Sequence, residues 1–248
     1  MKRKILITTL VVLSCLACGC GEDNSNEESQ TSEHSEGMIG DDAFAKRQIE
    51  IFVENESEWK ASEEGFFYTV TDLDHNGRLE LIAAINQGSG LFTYADIYEI
   101  NETNDGLNKC SYGGQENEEL YYDYPDFIKD GNFITFTNGT DYIYIASNYT
   151  RVSAMESGET IEAFSLSNGN FSVETLAMKY VNGEDVSFIR YPDETEISED
   201  EFNKISIDKY GNDYTKTETS FAWDDLSGDD ISIRLLNCYK TFESAEGN

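Results

Sequence analysis

A chain of 248 residues with 17 basic and 49 acidic side chains carries a formal charge of −32. That balance argues against nucleic acid as a partner, because phosphate binding needs clustered Lys and Arg, and against electrostatic adhesion to anionic lipid headgroups. An aromatic content of 12% argues against disorder throughout and leaves enough apolar surface for one domain with a substantial core.

Met1-Lys2-Arg3-Lys4 is a basic start to an apolar run, Ile5 to Leu13, which is too short to remain as a membrane-spanning helix. Small residues and cysteines follow in Ser14-Cys15-Leu16-Ala17-Cys18-Gly19-Cys20. This pattern resembles a bacterial lipoprotein signal, in which a small residue precedes a cysteine that is lipidated and becomes the new N-terminus. Leu16-Ala17-Cys18 fits that rule, giving a signal over residues 1–17 and lipidation at Cys18. Cys15 and Cys20 are competing positions, and a plain secretory peptide is the other reading. Residues 18–41 are rich in Glu, Ser and Asn with no aromatic residue, as expected of a disordered acidic tether. About 20 flexible residues span roughly 25 Å, enough to lift a domain off a lipid surface. The expectation is a protein on the extracellular face of a bacterial membrane, touching it through lipid alone.

Residues 42–248 read as a single domain. Ala45, Ile49, Phe52 and Val53 recur at helical spacing within a helix from Asp42 to Trp59. The period then changes to that of strands. Phe66 to Thr71, Leu79 to Ile85 and Leu91 to Ile100 form a meander, with Gly88-Ser89-Gly90 at its second turn, and Leu107 to Tyr112 continues it.

Between the first two strands lies Asp72-Leu73-Asp74-His75-Asn76-Gly77-Arg78-Leu79-Glu80. Oxygen-bearing side chains at alternate positions, with a glycine where the chain bends, suit a hard cation such as calcium, which takes six to eight oxygens. An EF-hand would need Glu at the twelfth position, where Ala83 stands, and an exiting helix where an apolar strand is expected. The plainer reading of the same string is an Asn-Gly hairpin turn. The D-x-D-x-N-G-x-x-E pattern resembles the loops of FG-GAP and VCBS repeats. That resemblance implies a calcium ion held by the side chains of Asp72, Asp74, Asn76 and Glu80 and by the backbone oxygen of Arg78. A single loop does not imply the propeller of those families.

Gly113 to Asp126 is acidic and bunches Tyr121, Tyr122 and Tyr124, which either stack on a sugar or pack their own rings. Three Asn-Gly turns follow, at Asn138-Gly139, Asn168-Gly169 and Asn182-Gly183. They join antiparallel strands over Phe133–Thr137, Tyr142–Ala146, Ile161–Ser167, Phe171–Met178 and Val186–Arg190, with no room for helical crossovers. Ser198-Glu199-Asp200-Glu201 is a capping box opening a helix to about Lys209, and Ile231, Leu235, Cys238, Tyr239 and Phe242 mark the inner face of a last helix. The fold class is α+β, an antiparallel β meander with hairpins, flanked by an N-terminal helix and two C-terminal helices.

In outline the chain is also similar to a group of surface lipoproteins of Gram-positive anaerobes. These share the aspartate-rich loop, a glycine turn and aromatic strand (here Gly88 to Tyr94), a tyrosine strand with Asn-Gly (Lys179 to Gly183) and a Ser-Glu-rich helix start (Ser198 to Phe202). The group brings no activity with it.

Cys110 and Cys238 remain outside the signal, to pair as a disulfide or stay as buried thiols. Of the two histidines, His34 lies in the tether and His75 in the loop, where it is expected to point to solvent. No Ser-His-Asp arrangement is suggested, and no pair of carboxylates stands out for glycoside chemistry. The expectation is a non-enzymatic binding or interaction module for a glycan or envelope protein. The alternatives are a structural envelope component or, less in keeping with the residues, a carbohydrate-active hydrolase.

Overall fold

Strand Leu79–Ile85 is apolar at nearly every position, and such a strand must be covered on both faces. In the computed structural model, which describes residues 35–62, 64–86, 93–112 and 131–246, this is what happens. Strands β1 (Phe66–Thr71), β2 (Glu80–Asn86), β3 (Thr93–Ile100) and β4 (Leu107–Lys109) form one antiparallel sheet in sequence order. One face carries Phe66, Tyr68, Val70, Leu81 and Ala83 against Ala45, Ile49 and Phe52 of helix α1 (Ser35–Glu54), with Trp59 of the short helix α2 (Glu56–Trp59). The other face carries Ile82, Ala84, Ala95 and Ile97 into a second cluster with Phe133, Tyr144, Phe164 and Phe171.

Those last residues belong to a larger sheet. It contains β5 (Ser111–Tyr112), β6 (Asn132–Thr137), β7 (Tyr142–Arg151), β8 (Glu156–Ser167), β9 (Asn170–Asn182), β10 (Asp185–Arg190), β11 (Thr195–Glu196) and β12 (Thr215–Ser220). Its order is β11-β10-β9-β8-β7-β6-β12. The far face packs Phe136, Ile145, Ala163 and Leu176 against Tyr210 of helix α3 (Glu199–Tyr210). Helix α4 (Ile231–Glu246) places Leu235 in the first cluster and Phe242 in the second, so it spans both cores.

The α+β class holds, and most expected elements are present, with differences that have physical causes. Helix α1 begins at Ser35, so the last part of the expected tether, residues 35–41, is helical. Extending a helix already seated by its inner face adds one bond per residue, whereas starting one is costly. Strand β12 was not legible, because Thr-Lys-Thr-Glu-Thr-Ser has no apolar residue. It is an edge strand with only Thr219 buried, and charged edge residues discourage pairing with another chain. The strands are antiparallel except for β5, which pairs in parallel with β9 through Ser111–Asn170 and Tyr112–Phe171. Among the described residues, the connection between this parallel pair carries strands β6, β7 and β8.

Both capping-box bonds at Ser198 and Glu201 are made, and Phe202 is buried as expected. Cys110 and Cys238 are both free and buried, which settles the choice between disulfide and thiol. Burial, with Asp224 nearby, pushes the Cys238 thiol up to about 12. The Gly88-Ser89-Gly90 turn, the Tyr121–Tyr124 cluster and the Cys18 region lie outside the described residues.

Phe164 is 1% exposed and meets Phe133, Tyr144 and Phe171 with ring centroids 5.1–5.6 Å apart. Phe164→Ala should therefore cost about 3–5 kcal/mol by urea unfolding. A loss below about 1 kcal/mol would contradict a core shared by the two sheets.

Candidate metal centre

The pair Thr71–Glu80 is the last rung of the β1–β2 ladder, and the segment between them makes the turn. Its backbone is folded by its own side chains. The Asp72 carboxylate accepts from Gly77 N–H (3.2 Å), Asp74 Oδ1 from Asn76 N–H (3.3 Å) and Asn76 Oδ1 from Arg78 N–H (2.6 Å). His75 and Gly77 take φ of 53° and 81°. Gly77 has open space where a Cβ would sit, so the glycine is needed for its conformation and not for room.

This folding draws three carboxylates together. One oxygen from each of Asp72, Asp74 and Glu80 lies within 4.8 Å of the others, a grouping that could hold a metal ion. Asp72 and Asp74 are partly exposed, whereas Glu80 is wholly buried. Glu80 Oε2 accepts from Leu73 N–H (2.7 Å) and from the Thr71 hydroxyl (3.0 Å), both neutral donors. Its other oxygen, Oε1, has no hydrogen-bond partner. Burial, reinforced by the Asp72 charge beside it, holds the Glu80 carboxyl well above the usual carboxylate range. Asp74 is also raised, first by burial, with the Glu99 charge adding to the effect.

A fourth carboxylate stands behind these. Glu99 of β3 is directly opposite Glu80 of β2 and is 3% exposed. Its Oε1 accepts from Arg78 Nη2 (2.8 Å) and from Asn76 Nδ2 (2.7 Å). Like charges facing each other across a ladder are unfavourable, and the Arg78 guanidinium is placed on Glu99, not on Glu80.

Two other elements grip the loop. The Gln48 side chain of α1 donates to the Gly77 carbonyl and accepts from Leu79 N–H, both at 2.8 Å. From β7, the buried Tyr144 hydroxyl donates to the Leu73 carbonyl at 3.0 Å.

Asp72, Asp74 and Glu80 are thus assembled as the sequence suggests. Asn76 is at the loop, with its amide bonded to Arg78, Asp74 and Glu99. The Arg78 side chain turns to Glu99. His75 does not simply point into water. It is exposed, but its ring stacks on Tyr142 with centroids 3.7 Å apart and planes 25° from parallel. A flat imidazole beside an aromatic ring on the neighbouring sheet recovers dispersion that solvent would not supply.

Gln48, Glu99 and Tyr144 were missed. A signal existed for two of them: Gln48 falls on the stripe set by Ala45, Ile49 and Phe52, and Glu99 sits between Ile97 and Ile100 in an apolar strand. Polar residues at core positions need partners, so such an interruption marks a place to look for one. No protein family, curated protein or solved structure matches the chain.

The raised Glu80 pKa has a testable sign. A carboxyl whose native pKa lies above its unfolded value keeps a proton that the unfolded chain releases, so its contribution to stability falls as pH rises from about 4.5 towards the native value. In metal-free buffer, Glu80→Gln removes that dependence. The variant should be more stable than the parent by urea unfolding at about pH 7.5, with the gap closing towards about pH 4.5. A gap that does not change with pH would contradict a protonated Glu80.

Proposed function

We propose that this chain is an exported surface lipoprotein, held at the membrane through Cys18, whose folded domain is a non-enzymatic binding or interaction module stabilised by calcium. The observation that carries the metal reading is Glu80 Oε1, a buried carboxylate oxygen without a hydrogen-bond partner, on a residue that is grouped with two further carboxylates. Leaving such an oxygen unmet is costly, and a cation would meet it at once.

The donors suit a hard ion. The three grouped ligand atoms are carboxylate oxygens. The Asn76 side-chain oxygen keeps a second lone pair beyond the one on Arg78 N–H, and the Arg78 carbonyl would complete the set of five. Zinc prefers nitrogen and sulfur, and magnesium demands a strict octahedron and sheds water reluctantly, so calcium fits best. With three carboxylates, the affinity should be on the order of 10⁻⁴–10⁻³ M, which suffices in a calcium-rich exterior. The ion's role is structural: it would pin the β1–β2 turn where α1, β3 and β7 converge on it.

An interaction role, rather than a purely mechanical one, is supported at the far end of the larger sheet. Tyr149, Val152, Met155 and Val186 remain exposed there, and Tyr149, Met155 and Val181 line a shallow cavity of about 520 Å³ with Arg151, Glu156 and Glu184. Exposed apolar side chains that cluster mark contact surfaces more often than scattered ones do. A glycan array probed with and without calcium tests one class of ligand.

The calcium itself is tested by melting. An ion that binds only the folded chain, at ten times its Kd, adds about 1.4 kcal/mol, which for a domain of this size raises Tm by about 3–6 °C. Millimolar calcium added after EDTA should produce that rise, and Asp74→Ala should abolish it. An identical melt in EDTA and in calcium would sink the reading.

A further inference from the structure

Gln48 lies on the inner face of α1 and is 1% exposed, and its side-chain oxygen and nitrogen each bond to the loop. Its amide spans Gly77 and Leu79, so its two bonds bracket Arg78. The Gly77 carbonyl belongs to the peptide plane before Arg78, and the Leu79 N–H to the plane after it. One side chain from a distant helix therefore sets both planes. In a trans peptide the N–H and C=O point in opposite directions. Holding Leu79 N–H on Gln48 consequently turns the Arg78 carbonyl away from α1. The next residue is Glu80, so the same bond also governs how the buried carboxylate enters the group.

We propose that Gln48 is a positioning residue for the cation site, and that through it cation binding and the seating of α1 are one coupled equilibrium. The proposal rests on the calcium reading and adds to it a ligand-free residue, from outside the loop, that sets affinity. The coupling is reciprocal: if a seated α1 raises affinity for the ion, the ion must tighten α1 by the same factor. Helix α1 is the first described element, and the chain ahead of the domain leaves from it. Ion binding would thus firm the point at which the domain joins its N-terminal segment. An amide that merely filled the core would behave differently, since its loss would lower stability equally with and without calcium.

The intact chain is the material for the test. Gln48→Leu keeps the volume and removes both hydrogen-bonding groups. Calorimetric titration of calcium chloride into the metal-free parent and into this variant should show Kd weakened about tenfold. Hydrogen exchange followed by mass spectrometry should show α1 amides slowed by calcium in the parent and unaffected in the variant. Equal Kd values would overturn the proposal while leaving the calcium reading intact. A parent that takes up no calcium would sink that reading and this proposal with it. Should Gln48→Leu fail to fold, exchange in the parent decides alone: α1 amides indifferent to calcium would overturn the coupling.

Discussion

Glu80 is the constraint around which the loop and its supports are arranged. It is the first residue of β2, it has no exposure at all, and it brings a carboxylate into a place where water does not reach. A carboxylate in such a site must hold a proton, find a full set of donors or meet a cation. The chain supplies two neutral donors to one oxygen and none to the other. Asp72 and Asp74 stand beside it and make matters worse in the absence of a positive charge. The one guanidinium described at the cluster is spent on Glu99.

The position of this carboxylate follows from the layering. The smaller sheet lies between helix α1 on one side and the larger sheet on the other, with α4 reaching both cores, so the hairpin end between β1 and β2 is reached from both sides. Gln48 comes from the helical side and Tyr144 from the sheet side. The loop is an acidic turn, yet its backbone is held from outside by the neutral Gln48 and Tyr144 side chains and from within by hydrogen bonds to its own Asp72, Asp74 and Glu80 carboxylates. Its shape therefore does not depend on an ion alone, while its charge does.

A different solution to the same problem appears at Asp224 and Asp225. There the Arg234 side chain of α4 donates to both carboxylates and to the Ser227 carbonyl. An internal cation serves that acidic turn. The contrast strengthens the reading of the Asp72–Glu80 loop, where the most deeply buried oxygen has no such partner.

Much of this was legible from residue order alone. Asn-Gly turns and period-two alternation placed the hairpins, the spacing of Ile231, Leu235, Cys238 and Phe242 placed α4, and the alternating oxygens marked the loop, because each of these is a local property of neighbouring residues. Three things were decided only by the tertiary structure. The polar strand β12 exists because β6 offers it an edge, Cys110 (between β4 and β5) and Cys238 (on α4) are each buried as free thiols, and Gln48, Glu99 and Tyr144 converge on the loop from positions 21 or more residues away. Contacts of that range depend on how layers stack, and a local pattern carries no record of which distant side chain will fill the space beside it.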